Sequence, residues 1–184
     1  MKAFLVLGPE SSGNHFVTDI LVNAGCKGDS GHRGTWEAGA ENAVPQPWDN
    51  ELPRDGTTPI VWRRSVPHGG DWVDIKGMVG NLRKLGYTVV AVVIVRNMFA
   101  TIRSQIRRRM HNTEGEIRVN FRRALVRIFT ELEKEGVPFV LQTYEALVNY
   151  PEAQDCLLKQ LELPLPVERL KIHPDRTPEY FKQG

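Results

Sequence analysis

Cysteine is scarce in this chain: Cys26 and Cys156 are the only two in 184 residues, and neither belongs to a C-x-x-C pair. That excludes a disulfide framework and a zinc site of the usual spacing. No run of about 18 or more apolar residues occurs, so no segment reads as a membrane-spanning helix. The first residues, MKAFLVLGPESSG, lack the long apolar stretch and small-residue cleavage site of an export signal. Together with two isolated thiols this predicts a protein of the reducing cytoplasm. A large charge of one sign is missing as well, since 24 Lys plus Arg oppose 22 Asp plus Glu for a net of +2. Hydrophobic residues at 41% and charged residues at 25% exclude a disordered or collagen-like chain and leave one ordinary domain spanning 1–184.

What is present alternates. Lys2 to Leu7 predicts a short strand that stops at Gly8-Pro9, and Asn14 to Ala24 predicts a helix with Phe16, Ile20, Leu21 and Ala24 on one face. From about 25 to 59 the sequence is rich in Gly, Pro, Asp and Asn without a period, interrupted by Trp36 and Trp48. A loop of that length in a small domain is usually functional. Pro59 to Trp62 predicts a second strand ending in Arg63-Arg64, and Trp72 to Leu85 has helical spacing. Thr88 to Val95, TVVAVVIV, is a continuous β-branched run of the kind buried on both faces in a parallel sheet. Helices are expected over Met98 to Met110, Glu116 to Glu135 and Pro151 to Leu161, with a short strand over Pro138 to Gln142. The order implies an α/β three-layer sandwich whose central parallel sheet has about four or five strands.

In such sheets ligands bind beyond the carboxyl ends of the strands. The first exit, Gly8-Pro9-Glu10-Ser11-Ser12-Gly13-Asn14-His15, keeps the two-glycine spacing of a phosphate-binding loop but has Asn14 where a nucleoside-triphosphate site needs Lys. A Gly-rich turn with Ser or Asn capping the helix is an equally good reading of that spacing. At the exit of the β-branched run stand Arg96 and Asn97, and Ser104 follows eight residues after Arg96. A guanidinium fork plus a hydroxyl is suited to gripping one phosphate.

Arg96-Asn97-Met98-Phe99-Ala100-Thr101-Ile102-Arg103-Ser104 resembles the 3′-phosphate segment of sulfotransferases, R-N-P-x-D-x-x-x-S. Ser12-Gly13-Asn14-His15-Phe16 is similar to that family's 5′-phosphosulfate loop. Tyr144-Glu145-Ala146-Leu147 through Pro151-Glu152 to Leu163-Pro164 is similar to its Y-E-D-L-x-x-x-P-E segment. The resemblance implies a P-loop-like fold that binds 3′-phosphoadenosine 5′-phosphosulfate, passes the sulfuryl group to a hydroxyl or amine, and releases 3′,5′-bisphosphoadenosine without a metal. It assigns Ser11, Ser12, Gly13, Asn14 and His15 to the 5′-phosphosulfate and Arg96 and Ser104 to the 3′-phosphate. Phe16 and Tyr144 fall to the adenine.

Two departures from the family's pattern bear on the chemistry. Ser11 stands where it has Lys or Arg, so Arg63 or Arg64, expected at the exit of the second strand, becomes the candidate cation for the leaving oxygen. Ser65 aligns with its catalytic His, and His68, three residues on, is the candidate base, with His15 as a further catalytic candidate. Nine arginines between 96 and 127 against Glu114 and Glu116 predict a basic surface that would steer the nucleotide donor or an acidic acceptor such as a glycan; a small molecule is the other acceptor class. Aromatics are not interleaved with these arginines, which disfavours nucleic acid. A P-loop nucleotide or nucleoside kinase with a degenerate loop, and a nucleotide-binding module without turnover, are the competing readings.

Overall fold

The computed structural model describes residues 1–28, 57–67, 72–108, 113–167 and 170. Trp36, Trp48 and His68, named above, lie outside the described residues, as does Arg109, one of the nine arginines between 96 and 127.

Four strands, β1 (Lys2–Gly8), β2 (Ile60–Ser65), β3 (Thr88–Val95) and β4 (Phe139–Thr143), form one parallel sheet in the order β2-β1-β3-β4. Six helices complete the described chain: α1 (Asn14–Asn23), α2 (Ile75–Lys84), α3 (Met98–Arg107), α4 (Glu114–Lys134), α5 (Tyr144–Asn149) and α6 (Pro151–Gln160). Alternation along β1 sends Ala3, Leu5 and Leu7 to one face, where they pack with Met78, Val79 and Leu82 of α2 and Ala124, Ile128 and Leu132 of α4. Phe4 and Val6 point the other way into a second core with Phe16, Val17, Ile20 and Leu21 of α1, Leu147 and Val148 of α5, and Leu157 and Leu158 of α6. The result is the three-layer α/β sandwich, P-loop-like in its strand–loop–helix opening.

Local chemistry sets the helix starts. Asp74 accepts the Gly77 amide at 2.9 Å before α2, and Asn97 accepts those of Phe99 and Ala100 before α3. Thr113 and Glu116 form a reciprocal capping box at the start of α4. The Glu116 carboxyl is held below the usual carboxylate range by its hydrogen bonds to the Thr113 backbone and side chain.

The second strand is longer than its apolar run predicts, and Arg63 and Arg64 lie inside it rather than at its exit. Pairing with β1 continues through Val6↔Arg63 and Leu7↔Arg64 to Gly8↔Ser65, so the ladder keeps both arginines extended although they are polar. Both are buried, at 1% and 0% exposure. A second difference is α5, which occupies Tyr144–Asn149, where only a strand exit was expected; six residues are too few to show a helical period.

Candidate functional site

The chain leaves β1, moves to β2 on one side and returns to β3 on the other, so the crevice between the β1 and β3 exits is the topological switch point. The loop Pro9–Gly13 sits there. Ser11 has φ 66 and Gly13 φ 101, both in the left-handed region. Gly13 is required for a second reason: a Cβ there would collide with the Tyr144 ring. Gly8 is equally confined, because a Cβ would lie 2.5 Å from the Ile94 carbonyl oxygen and 2.7 Å from Asn14 Oδ1.

Helix α1 therefore begins at Asn14 with Gly13 as its N-cap, and no side chain caps it. The reading in which Ser or Asn caps this helix does not hold, because Gly13 occupies the cap and Asn14 is turned away. The Asn14 Nδ2 donates to Ser65 Oγ at 3.0 Å and toward the Gly8 carbonyl at 3.4 Å. Parallel register explains the pair, since Gly8↔Ser65 sets Ser65 beside the start of α1, and the Val61–Arg63–Ser65 parity turns it to the α1 face.

Register also assembles the other half of the site. Val95↔Thr143 makes Arg96 and Tyr144 neighbours on adjacent strands, one residue beyond the last pair. Their parity follows Ile94, on the α1 face. The Arg96 guanidinium lies 4.4 Å from the Tyr144 ring centroid, and Phe16 of α1 meets the same ring edge-on at 6.1 Å and 71°. Gly13, Phe16, Arg96 and Tyr144, distant in sequence, thus form one cluster. Glu145 strengthens it from below: its Oε1 accepts the Asn97 amide at 3.0 Å, tying β4–α5 to the β3–α3 corner that carries Arg96.

The α3 face toward the loop is polar. Thr101, Ser104 and Gln105 are all buried at i, i+3 and i+4, and Gln105 Nε2 donates to the Glu10 carbonyl at 2.8 Å. Several oxygens here are buried without a hydrogen-bond partner among the described residues: Ser11 Oγ, Ser12 Oγ, Asn14 Oδ1 and Thr101 Oγ1. Ser12 and Thr101 are wholly enclosed, at 0% exposure. An unmet buried hydroxyl destabilises a fold by about 1–3 kcal/mol, and Ser11 and Ser12 before α1 and Thr101 of α3 bring three of them to the β1 and β3 exits. Thr101, Gln105 and Glu145 were not singled out from sequence. For Thr101 and Gln105 the signal, a polar i, i+3, i+4 face with Ser104 on a helix leaving a buried strand, is visible once the strand exits are known.

Other candidates fall elsewhere. His15 is the second residue of α1 and is half-buried. Arg63 lies on the α1 face two residues below Ser65, whereas Arg64 points to the α2–α4 face beside Leu7. The described arginines of the basic segment differ in their surroundings. Arg96 is enclosed at the site, Arg103 lies over Phe99, Arg123 and Arg127 lie over Trp72, and Arg118 pairs with Glu114; Arg107, Arg108 and Arg122 are exposed. On the α4 side of the loop a small cavity is lined by Pro9, Glu10, Val66, Pro67, Gln105, Asn120 and Phe121. Among the described residues no helix is long and apolar enough to cross a membrane, and no three His, Cys, Asp or Glu side chains gather in a metal-holding group.

No family model and no curated protein matches the chain. Among solved structures it is similar to a solution NMR structure of a de novo designed PLOOP2X3_50 fold protein, at 15% identity and a TM-score of 0.48, over 88% of this chain and 91% of that one.

Proposed function

We propose that this chain binds 3′-phosphoadenosine 5′-phosphosulfate at the exits of β1 and β3 and catalyses transfer of its sulfuryl group to a hydroxyl or amine acceptor. The observation that carries the reading is the cluster of Gly13, Phe16, Arg96 and Tyr144, which brings the Pro9–Gly13 loop and the Arg96 guanidinium, read as two anion-binding regions, to one aromatic ring. A nucleotide phosphorylated at both the 3′ and 5′ positions needs two such regions. ATP needs one, together with a cation at the loop. Here the loop from Pro9 to Phe16 carries no Lys or Arg, and Asn14 is engaged with Ser65 and Gly8.

In this reading the backbone amides of Ser11, Ser12, Gly13, Asn14 and His15 hold the 5′-phosphosulfate at the start of α1. Arg96 and Ser104 hold the 3′-phosphate, and Phe16 and Tyr144 flank the purine. The bound donor supplies an activated sulfuryl group, so the protein's task is orientation and charge stabilisation. Arg63, buried about two strand residues below Ser65 on the same face, contributes fixed positive field there. Ser65 accepts the Asn14 hydrogen bond and acts in positioning the loop, which leaves the acceptor's proton to His68 or His15.

Calorimetric titration with 3′,5′-bisphosphoadenosine, AMP and magnesium-ATP at one salt concentration tests the site. Selective binding of the bisphosphate is expected, and preference for magnesium-ATP overturns the reading in favour of a kinase. Radiolabelled sulfuryl transfer to a panel of hydroxyl and amine acceptors tests turnover. Selective binding without transfer would assign the chain to the second reading, a nucleotide-binding module, which the replacement of the family's basic residue by Ser11 and of its His by Ser65 favours.

A further inference from the structure

The turn that opens the loop after β1 is held in a form its residues disfavour. Ser12 donates its backbone amide to the Pro9 carbonyl at 3.1 Å, which closes a four-residue turn with Glu10 and Ser11 at its centre. Ser11 has φ 66, and among the described residues the one other non-glycine residue with positive φ is Glu162, so φ at Glu10 and at Ser12 is negative. A negative φ followed by a positive one makes this a type II turn, whose third position is ordinarily glycine or asparagine. Serine there meets the steric cost that a left-handed backbone imposes on a residue with a Cβ. Type I joins the same ends with negative φ at both central residues and differs by about half a turn of the Glu10–Ser11 peptide plane. On local preference alone, this turn would be type I.

A contact from outside the loop opposes that preference. Gln105 of α3, 6% exposed, donates Nε2 to the Glu10 carbonyl at 2.8 Å. This carbonyl belongs to the peptide whose orientation separates the two turn types. In a planar trans peptide the C=O and N–H point in opposite directions, so a carbonyl held toward α3 turns the Ser11 amide away from that helix. Turning the peptide over would break the Gln105 bond and swing the amide toward α3. The sign of φ alternates along the loop, positive at Ser11, negative at Ser12 and positive at Gly13. Such alternation gathers successive backbone amides into an anion-binding concavity, and inverting Ser11 removes its amide from the set.

We propose that Gln105 is a positioning residue whose side-chain amide selects the type II form of the Pro9–Ser12 turn and so aims the Ser11 amide into the concave side of the loop. The consequence for binding rests on the nucleotide reading above, in which that amide meets the 5′-phosphosulfate; the choice of turn does not. Gln105 adjoins Ser104, so α3 serves both ends of the nucleotide, one residue meeting the 3′-phosphate and the next shaping the 5′ loop. A left-handed backbone at a serine is disfavoured about tenfold. Without the Gln105 bond about one tenth of the molecules keep the competent turn, and the apparent affinity falls by the same factor.

Nuclear Overhauser spectroscopy of the free, isotope-labelled full chain reads the turn without any ligand. In type II the positive ψ of Glu10 sets its Hα close to the Ser11 amide proton, whereas in type I the Glu10 and Ser11 amide protons lie close together. The wild type is expected to show the first contact. Gln105→Leu, which has no donor, and Gln105→Glu, which as a carboxylate can only accept, are expected to show the second. Adding Ser11→Gly to Gln105→Leu is expected to restore the first, since glycine adopts the left-handed backbone freely. Calorimetry with 3′,5′-bisphosphoadenosine is expected to give about tenfold weaker binding for Gln105→Leu and recovery to within about threefold in the double variant. Lost packing around α3 would not be repaired by glycine in the loop. Survival of the wild-type contact in both Gln105 variants overturns the proposal, as does a turn that inverts without any change in the affinity of a wild type that binds the bisphosphate. A wild type that binds no bisphosphate, while its turn still inverts in the Gln105 variants, overturns the nucleotide reading and upholds the role of Gln105 in the turn.

Discussion

Arg96→Ala separates the 3′-phosphate from the rest of the nucleotide. Arg96 is 8% exposed and its guanidinium lies over the Tyr144 ring, so its charge is already largely withdrawn from water before any ligand arrives. Removing one partner of such a desolvated charge pair lowers binding by about 2–4 kcal/mol. At about 1.4 kcal/mol per factor of ten, the affinity for 3′,5′-bisphosphoadenosine falls ~30- to ~700-fold. AMP lacks the 3′-phosphate, and its affinity should change far less, so the ratio of the two dissociation constants collapses toward one. Arg96→Lys keeps the charge but loses the planar fork and its stacking on Tyr144, and is expected to fall between the two. Calorimetry on all three proteins with both nucleotides gives the ratio, and thermal unfolding of the free proteins checks that Tyr144 has not been displaced. Wild-type protein that binds both nucleotides equally refutes the reasoning, as does a ratio that survives Arg96→Ala.

Four further perturbations follow from the geometry. Gly13→Ala forces a left-handed backbone of φ 101 on an L-residue and drives a methyl into the Tyr144 ring; a loss of about 1–2 kcal/mol of stability from the backbone alone is expected, with weakened nucleotide binding, and an unchanged melting temperature contradicts it. Thr113→Ala removes the α4 capping box, with an expected loss of about 1 kcal/mol at neutral pH by denaturant unfolding. The Glu116 carboxyl is held below its ordinary range, so its contribution is complete above the ordinary glutamate pKa and is lost as the pH falls through the lowered value; Glu116→Gln should flatten that part of the pH–stability curve. Burial pushes the Cys26 thiol up to about 12, whereas Cys156 is exposed, so a thiol reagent near pH 8 should modify one cysteine per native chain and two per denatured chain.

Much of the fold was legible in the residues themselves. The run Thr88–Val95 could only be a doubly covered strand, and β3 has those bounds, with Val92, Val93 and Ile94 at 0% exposure. The apolar period of 117–132 placed α4, although its ends moved to Glu114 and Lys134 because the capping box, not the apolar stripe, sets where it begins. The expected helix to Met110 is described only through Arg107, with Arg108 as its C-cap. Arg63 and Arg64 misled a reading based on hydropathy: two consecutive charges look like a strand exit, yet the ladder to β1 outlasts the apolar run by three residues.

The sequence by itself determined the alternation of strands and helices, the glycine-bounded loop after β1, and the placement of Arg96 at the end of the β-branched strand β3, because these depend on side-chain periodicity and on neighbours in the chain. It could not determine which residues from separate segments meet. That Asn14 bonds Ser65, that Arg96 stacks on Tyr144 and that Glu145 holds the Asn97 amide were decided by parallel register. A strand's side chains alternate with a period of two, so a shift of one residue would have sent each partner to the opposite face of the sheet.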